Sequence, residues 1–243
     1  MGSIQSLHYN NSSQAKSAPM IEKTIKSRLF EGLNAEEVAA ILQDAKERRF
    51  SANSVIFEQT HRADHMFLLT HGRARHFLIT QDGERILLRW LAPGDAIGGR
   101  SLLPKPVNYF VSAEALKDSR FLIWDRPTLH QLTNMYPRFL RNTIYIADDY
   151  LAWFITAHTA LNCFTARQRC ASVLRSLALT IGQKVKNGVE VEITDEELAD
   201  ASATTVFAVS RFVSDWRRSG AIVKKRGKIV VRSLDLLTEE MGK

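Results

Sequence analysis

A glycine-rich loop in the first half of the chain has the residue types of an anion-binding site. Residues 94–110 read GDAIGGRSLLPKPVNYF, with three glycines close to the single arginine Arg100. Glycine adopts positive φ angles without steric cost, so such a loop lets backbone N–H groups approach an anion. The candidate contacts of a small ligand here are Gly98, Gly99, Arg100, Ser101 and Asn108.

Four histidines lie close together in the sequence at His61, His65, His71 and His76. Imidazole is a common ligand of metal ions and of haem iron, so a haem or metal site is one reading of this group. The chain has no HxH motif, with which a metal site inside a β-barrel commonly begins. We expect these histidines to lie in polar turns, in contact with solvent.

The two cysteines, Cys163 and Cys170, are seven residues apart and form no CxxC motif. This spacing argues against a disulfide framework, a zinc site and an iron–sulfur cluster. We expect two helical thiols in or near a core. The sequence therefore predicts no cofactor, no metal and no catalytic residues.

Basic residues are concentrated near the C-terminus. The segment from Arg211 to Arg232 contains eight of them against one acid, Asp215, so its net charge equals the formal net charge of +7 of the whole chain. They are Arg211, Arg217, Arg218, Lys224, Lys225, Arg226, Lys228 and Arg232. Such a concentration of positive charge in an otherwise neutral chain suggests that a polyanion binds there.

The first half of the chain has the pattern of an antiparallel β domain. From Phe50 to about Ile123, short apolar stretches such as MFLL, ARHFLI and RFLIW alternate with turn signals such as QDGE and APGD. Their spacing of about ten residues predicts an antiparallel barrel or roll. Before it, AEEVAAILQDA reads as an amphipathic helix capped by Asn34.

A heptad pattern follows. Seven residues recur at alternating steps of four and three: Leu140, Ile144, Ala147, Leu151, Phe154, His158 and Leu161. A second apolar face of the same helix carries Ile146, Tyr150, Trp153 and Ala157. Two apolar faces predict that one packs on its own domain and the other on a second copy of the helix in a two-fold dimer. A helix wholly buried in its own domain is the alternative.

The last region predicts two short helices joined by a tight turn. Thr194 followed by three acids is a strong helix start, and this helix runs to about Ala201. Ser202 and Ala203 make the turn, and Thr204 or Thr205 caps the second helix. The apolar stripe of the second helix comprises Val209, Phe212, Val213 and Trp216. This is the pattern of a helix-turn-helix.

The opposite face of the second helix is free to enter a DNA major groove. It is followed by AIVKKRGKIVVRS, a predicted hairpin with a basic tip, which makes the unit a winged helix-turn-helix. The candidate DNA contacts are Thr204, Thr205, Val206, Phe207, Ser210, Arg211, Ser214, Arg217, Arg218, Lys224, Lys225, Arg226 and Lys228.

The order of these parts resembles the CRP/FNR family of bacterial transcription regulators. The residues that carry the resemblance are PGDAIG at 93–98, TARQRCASVL at 165–174 and ITDEELADASATTVFAVSRF at 193–212. The resemblance implies an α+β fold with an N-terminal double-stranded β-roll, which is a cupin-like jelly roll, a long dimerisation helix and a C-terminal winged helix-turn-helix. We divide the chain into a disordered tail (1–20), a β-roll sensor domain (21–126), a dimerisation helix (127–162) and a DNA-binding domain (163–243).

The chain departs from the members of this family that bind cyclic nucleotides. The resemblance implies a glutamate for the ribose where this chain has Gly99, and an Arg-Ser or Arg-Thr pair for the phosphate near Val107 and Asn108. A Thr-Ser pair of the long helix is also missing, because the chain has Ala152, Trp153 and Phe154 there. Each lost charge-assisted hydrogen bond is worth about 1.5 to 3 kcal/mol, so we expect no cyclic-nucleotide binding.

The sequence as a whole predicts a cytoplasmic, homodimeric transcription regulator that acts on a two-fold operator. Its expected partners are double-stranded DNA, a second copy of the chain, RNA polymerase and an unknown small-molecule effector, if one exists. No stretch approaches the roughly 18 to 20 uncharged apolar residues of a membrane span, so we expect no membrane partner. The alternative is a cupin-like metal-dependent enzyme, or a haem or metal sensor, fused to a DNA-binding module.

Overall fold

The computed structural model describes residues 26–240, and the predicted tail at 1–20 lies outside this range. One turn of 3-10 helix, Arg28–Phe30, precedes helix α1, Ala35–Gln43. The side chain of Asn34 accepts a hydrogen bond from the Glu37 backbone N–H at 2.9 Å, and the Glu37 carboxylate accepts one from the Asn34 N–H at 2.9 Å. This reciprocal capping fixes the start of α1, as the sequence predicts.

Eight strands then form the predicted β-roll. They are β1 (Lys46–Phe50), β2 (Val55–Phe57), β3 (His65–His71), β4 (Ala74–Ile79), β5 (Arg85–Leu91), β6 (Ala96–Ile97), β7 (Ser112–Ala115) and β8 (Ser119–Asp125). One sheet has the order β1-β8-β3-β6 and the other β2-β7-β4-β5, with antiparallel neighbours throughout. The roll therefore extends slightly beyond the predicted strand region at both ends.

Aromatic side chains fill the interior of the roll. Phe57 stacks on Tyr109 with ring centroids 4.1 Å apart, and Phe67 lies 5.4 Å from Phe57. Phe121 makes edge contacts with Phe67 and Phe50 at 6.3 and 5.4 Å. All five residues are buried, so this face of both sheets forms a closed apolar core.

Two helices follow the roll where the sequence predicts one. Helix α2, Arg126–Met135, buries Leu129 and Leu132 in a core shared with α1, and helix α3, Pro137–Cys163, carries the heptad pattern. The break lies at Pro137, because proline has no N–H to donate and is favoured at the first position of a helix. Segment 127–162 is therefore not a single dimerisation helix, because its first turns belong to the roll.

The C-terminal domain has its own core and its own sheet. It comprises α4 (Ala166–Thr180), β9 (Gln183–Val185), β10 (Gly188–Glu192), α5 (Asp195–Ala201), α6 (Val206–Arg218), β11 (Ile222–Lys225), β12 (Lys228–Val231) and α7 (Leu234–Glu239). The strand order is β11-β12-β10-β9. Cys170 is buried in this core as expected, whereas Cys163 at the end of α3 is exposed.

The C-terminal domain packs against the roll of the same chain. Trp90 of β5 is partly buried against the C-terminal core, and Arg73 Nη1 donates to the Glu192 backbone oxygen at 2.6 Å. The Lys117 ammonium forms an ion pair with the Glu192 carboxylate. The position of the C-terminal domain is therefore tied to the roll through β10 as well as through α3.

Between residues 26 and 240, none of the helices combines the length and the apolar character that a membrane span requires.

Candidate nucleic-acid interface

Both helices of the helix-turn-helix start at side-chain caps. Thr194 Oγ1 accepts from the Glu197 N–H at 3.1 Å, and the Glu197 carboxylate accepts from the Thr194 N–H at 2.9 Å. Thr205, and not Thr204, caps α6, because its hydroxyl accepts from the Ala208 N–H at 3.2 Å. Between the helices Ala203 has a φ of 47°, a left-handed conformation that reverses the chain in a tight turn.

The predicted apolar stripe anchors α6 to its domain. Val209, Phe212, Val213 and Trp216 are all less than 9% exposed and belong to the C-terminal core. Burying side chains of this size contributes roughly 1.5 to 3 kcal/mol each. The opposite face of the helix is therefore held toward solvent.

Arg169 fixes the turn, and the sequence analysis did not single it out. Its Nε and Nη2 donate to the backbone oxygens of Ser202 and Ala203 at 2.7 and 2.9 Å, and its Nη1 donates to the Phe164 oxygen at 2.8 Å. One guanidinium thus joins the turn of the helix-turn-helix to the end of α3. Arg169 is the second arginine of the TARQR segment, so the sequence does show a cation before the helix-turn-helix. Its partners could not be predicted, because they are backbone carbonyl groups, which every residue has.

The structure exposes the face of α6 that the sequence predicts for DNA. Phe207 is 90% and Val206 39% exposed, Ser210 and Arg211 are exposed, and Ser214 is half-buried. The Arg211 guanidinium carbon lies 5.5 Å from the Phe212 ring centroid, so the guanidinium rests against the edge of the core while the residue stays exposed. The N-terminal turn of α6 therefore presents apolar side chains, and its middle presents one cation.

The last turn of α6 carries a charge network. Asp215 accepts hydrogen bonds from Arg167 of α4 at 2.8 Å and from Arg218, and these bonds hold the pKa of its carboxyl below the ordinary value. Arg167 also pairs with Glu240. Arg218 is therefore partly neutralised by Asp215, whereas Arg217 is exposed and has no ion pair among residues 26–240.

The cations of the wing are less free than the sequence suggests. Lys225 and Lys228 place their ammonium groups 3.0 and 2.7 Å from the Glu190 carboxylate, and Lys224 pairs with Asp195. Only Arg226, at the tip of the β11–β12 hairpin, has no acidic partner within the part of the chain that the structure describes. The wing therefore does not present four unpaired cations. Strand β10 pairs with β12 and places Glu190 beside Lys225 and Lys228, although Glu190 is more than 30 residues away from them in the sequence.

The glycine-rich loop divides into a structural part and an open part. Gly98 has a φ of 81°, and a Cβ there would lie 2.6 Å from the His65 backbone oxygen, so this glycine is required by the fold. Ser101 is fully buried and donates to the Gly98 oxygen at 2.9 Å. Arg100 and Asn108 line a shallow cleft of about 470 Å³, whereas Gly98 and Ser101 do not.

The histidines do not form a common site. His61 and His71 are exposed, His65 is half-buried at the start of β3, and His76 is buried in β4. The expectation of four solvated histidines in turns is wrong for His76, because the alternation of ARHFLI turns this residue inward. Within residues 26–240 there is no group of three or more His, Cys, Asp or Glu side chains that could hold a metal ion.

The heptad residues of α3 form an exposed stripe. All seven are exposed in the single chain, including Ile144 at 60%, Leu151 at 56% and Phe154 at 59%. Tyr150 and Trp153 of the second apolar face are half-buried, and the Tyr150 ring contacts the His76 ring of the chain's own roll. The helix therefore has the two faces that the sequence predicts, one of them uncovered.

Two family models match the chain. A cyclic nucleotide-binding domain matches residues 47–136, and a Crp-like helix-turn-helix domain matches residues 168–240. The first covers the roll with α2, and the second covers most of the C-terminal domain. Together the two models match more than half of the chain, in the order in which the structure arranges the domains.

The relatives are transcription regulators and not enzymes. The transcriptional regulator LdrP of Thermus thermophilus is 28% identical over 80% of this chain and 96% of its own length. The cyclic AMP receptor protein of the same species is 28% identical over 88% of this chain and 96% of its own length. A solved structure of a CooA mutant from Carboxydothermus hydrogenoformans has the same fold, with a TM-score of 0.70, 24% identity and coverage of 90% of this chain and 97% of that one. The roll, the exposed long helix and the winged helix-turn-helix therefore identify this chain as a member of the CRP/FNR family of bacterial transcription regulators.

Proposed function

We propose that the chain is a cytoplasmic regulator that binds a two-fold DNA operator as a homodimer and takes no cyclic nucleotide. The observation that carries this proposal is the exposed face of α6 beside a basic wing, on a domain that follows α3, the helix whose heptad stripe is uncovered. One recognition helix enters the major groove at each half-site, with half-site centres about 34 to 36 Å apart. RNA polymerase is the expected partner of the DNA-bound dimer.

The contacts within each half-site divide into contacts to bases, which give sequence specificity, and contacts to phosphates, which give affinity. Arg211 lies on the groove-facing side of α6, where a guanidinium can span O6 and N7 of a guanine. Val206 and Phe207 offer apolar contact, for instance to a thymine methyl group. Arg226 of the wing and Arg217 suit phosphates, which carry little sequence information.

Selection of bound duplexes from a random pool tests this function. The expected product is an inverted repeat with a guanine in each half-site, recovered without added metabolites. A pool that remains random after several rounds, or a selected sequence without two-fold symmetry, would contradict the proposal.

The absence of a cyclic-nucleotide effector is tested separately by titration calorimetry with cAMP and cGMP. Gly99 has no carboxylate for a ribose, and the position of the phosphate pair carries Val107 and Asn108. We expect no heat of binding at physiological nucleotide concentrations. A dissociation constant in the low micromolar range would show that Arg100 or another group replaces the missing contacts.

A further inference from the structure

Tyr150 of α3 packs its aromatic ring on the roll, between a histidine and an arginine, with its hydroxyl buried. Its ring centroid lies 5.9 Å from the ring of His76 on β4, and the Arg89 guanidinium carbon of β5 lies 4.5 Å from the centroid of the tyrosine ring. Its hydroxyl is shielded from solvent and has no hydrogen-bond partner among the described residues. Burial raises the pKa of this phenol well above its ordinary value, so the hydroxyl stays neutral.

The contact continues from Tyr150 to the loop before β6. Arg89 lies 3.4 Å from a carboxylate oxygen of Asp95, and the other oxygen of this carboxylate accepts from the Ala92 N–H at 2.8 Å. Asp95 is the aspartate of the PGDAIG segment, and its backbone oxygen accepts from the Leu69 N–H at 3.0 Å. Helix α3 is therefore joined to the glycine-rich loop through two side chains, Tyr150 and Arg89.

The space beside Tyr150 is already occupied by the chain itself. His76 is only 7% exposed and lies 6.2 Å from Phe57, which stacks on Tyr109. The rings of Tyr150, His76, Phe57 and Tyr109 thus form a continuous row from the helix into the roll. The Tyr150 ring thus fills the junction between the roll and α3. A small molecule bound at this junction would be able to move α3 relative to the roll.

We propose that Tyr150 is a positioning residue that takes the place of a small-molecule effector, because its ring fixes α3 on the roll in the geometry that binds DNA. The inference rests on the proposed function as a DNA-binding dimer. A ligand shifts a conformational equilibrium only through its different affinity for two states, and a side chain of the protein can supply the same difference permanently. Since α3 carries the dimer stripe and leads into the DNA-binding domain, its angle sets the spacing of the two recognition helices.

The test compares Tyr150→Ala with Tyr150→Phe and with Tyr145→Ala, which removes an exposed tyrosine from the same helix. Operator affinity should fall about tenfold or more in Tyr150→Ala, within the range of typical allosteric coupling. Affinity for random DNA should change by less than about twofold, because the DNA-binding domain is intact. Tyr150→Phe and Tyr145→Ala should resemble the wild type.

Two further readouts separate positioning from folding. Operators with half-sites moved one base pair closer or farther should be rejected by the wild type and discriminated less by Tyr150→Ala. Addition of p-cresol, the side chain of tyrosine as a free molecule, should restore operator affinity, because cavities left by large-to-small substitutions bind small aromatic molecules.

Three results would overturn the inference. They are unchanged operator affinity in Tyr150→Ala, an equal loss of affinity for operator and random DNA in Tyr150→Ala, and a failure of p-cresol to restore operator affinity. A wild-type protein that selects no DNA sequence contradicts the proposed function instead, so the two failures are distinguishable.

Discussion

The cationic residues of the proposed interface differ in whether an acidic side chain of the same domain already neutralises them. Arg211 is exposed on the outward face of α6, whereas Lys224, Lys225 and Lys228 of the wing are paired with acids of their own domain. A paired lysine must give up its carboxylate partner to bind a phosphate. Charge alone therefore overstates what the wing contributes.

Arg211→Ala should remove the preference for guanine at one base pair of each half-site. A bidentate arginine–guanine contact discriminates by about 1 to 3 kcal/mol, and affinity for random DNA does not depend on it. Affinities for operators substituted at each position measure the change. If the variant loses affinity for specific and random DNA equally, Arg211 is a phosphate contact and α6 faces the groove differently.

Arg226→Ala should weaken binding to all DNA sequences alike. Removing one phosphate contact lowers the slope of log K against log salt by about 0.9. Lys225→Ala is the matched control and should have a smaller effect, because Lys225 pairs with Glu190 at 3.0 Å. Glu190→Gln should change affinity in the opposite direction by releasing two lysines. A loss in Lys225→Ala equal to that in Arg226→Ala would contradict this account of the wing.

His76 should make the protein less stable in acid. Burial is the larger cause, and the charge of Arg89 the smaller one, that lowers the pKa of His76 from an ordinary 6.5 to about 3. Between these two pH values the imidazole is neutral in the folded state and largely protonated in the unfolded state. The unfolded state therefore binds more protons between these pH values. The contribution is complete above pH 6.5 and is lost as the pH falls, at about 1.4 kcal/mol per pH unit.

Denaturant unfolding of the wild type, His76→Leu and His71→Leu between about pH 6.5 and pH 5 measures this dependence. His76→Leu should lose that part of the slope, and His71→Leu should keep it, because His71 is exposed. Equal slopes in the wild type and His76→Leu would show that the pKa of His76 is not lowered.

Among the elements, α3 carries the exposed stripe on which the proposed dimer depends. Its exposed stripe lies about a quarter-turn from the face that packs on the roll, so both faces can be covered at once. An uncovered stripe of this length is unusual on a soluble monomer. A second α3 running alongside it would bury Leu151 and Phe154 from both copies.

Leu151→Glu combined with Phe154→Glu should give monomers. Complete burial of a side chain of this size contributes roughly 1.5 to 3 kcal/mol, and these four have a little over half of their surface left to bury, so the dimer dissociation constant should rise by about 10² or more. Sedimentation and operator binding measure the effect. Ala152→Glu combined with Thr156→Glu is the control, because both residues are exposed on α3 and lie off the stripe. A dimer that persists in the first variant would place the interface on another face.

Elements with local signals could be predicted from the sequence, and contacts between distant elements could not. The caps at Asn34, Thr194 and Thr205 and the stripe of α6 follow from residue types at fixed spacing. The division of 127–162 into two helices was signalled by Pro137 and was missed. The pairing of the wing with Glu190 depends on which strands neighbour each other, and this is a property of the sheet.

The whole molecule joins its sensor-like roll to its DNA-binding domain at two places. One is α3, which Arg169 connects to the turn of the helix-turn-helix through the Phe164 oxygen. The other is the contact of Arg73 and Lys117 with Glu192. Neither connection could be predicted from the sequence, because each depends on the relative placement of two folded domains. Together they hold the C-terminal domain, and α6 with it, in a fixed position relative to the roll.

The proposed two-fold dimer requires a fixed spacing between the two half-sites of the operator. In the proposed dimer, two α6 helices enter successive major grooves on one side of the duplex, about one helical turn apart. Inserting five base pairs at the centre of a selected operator turns one half-site to the other side of the duplex, and inserting ten nearly restores its side at a greater distance. We expect the five-base-pair insertion to lower affinity to that of a single half-site, as measured by gel shift at fixed salt. Undiminished affinity for the operator with five added base pairs would contradict the two-fold dimer.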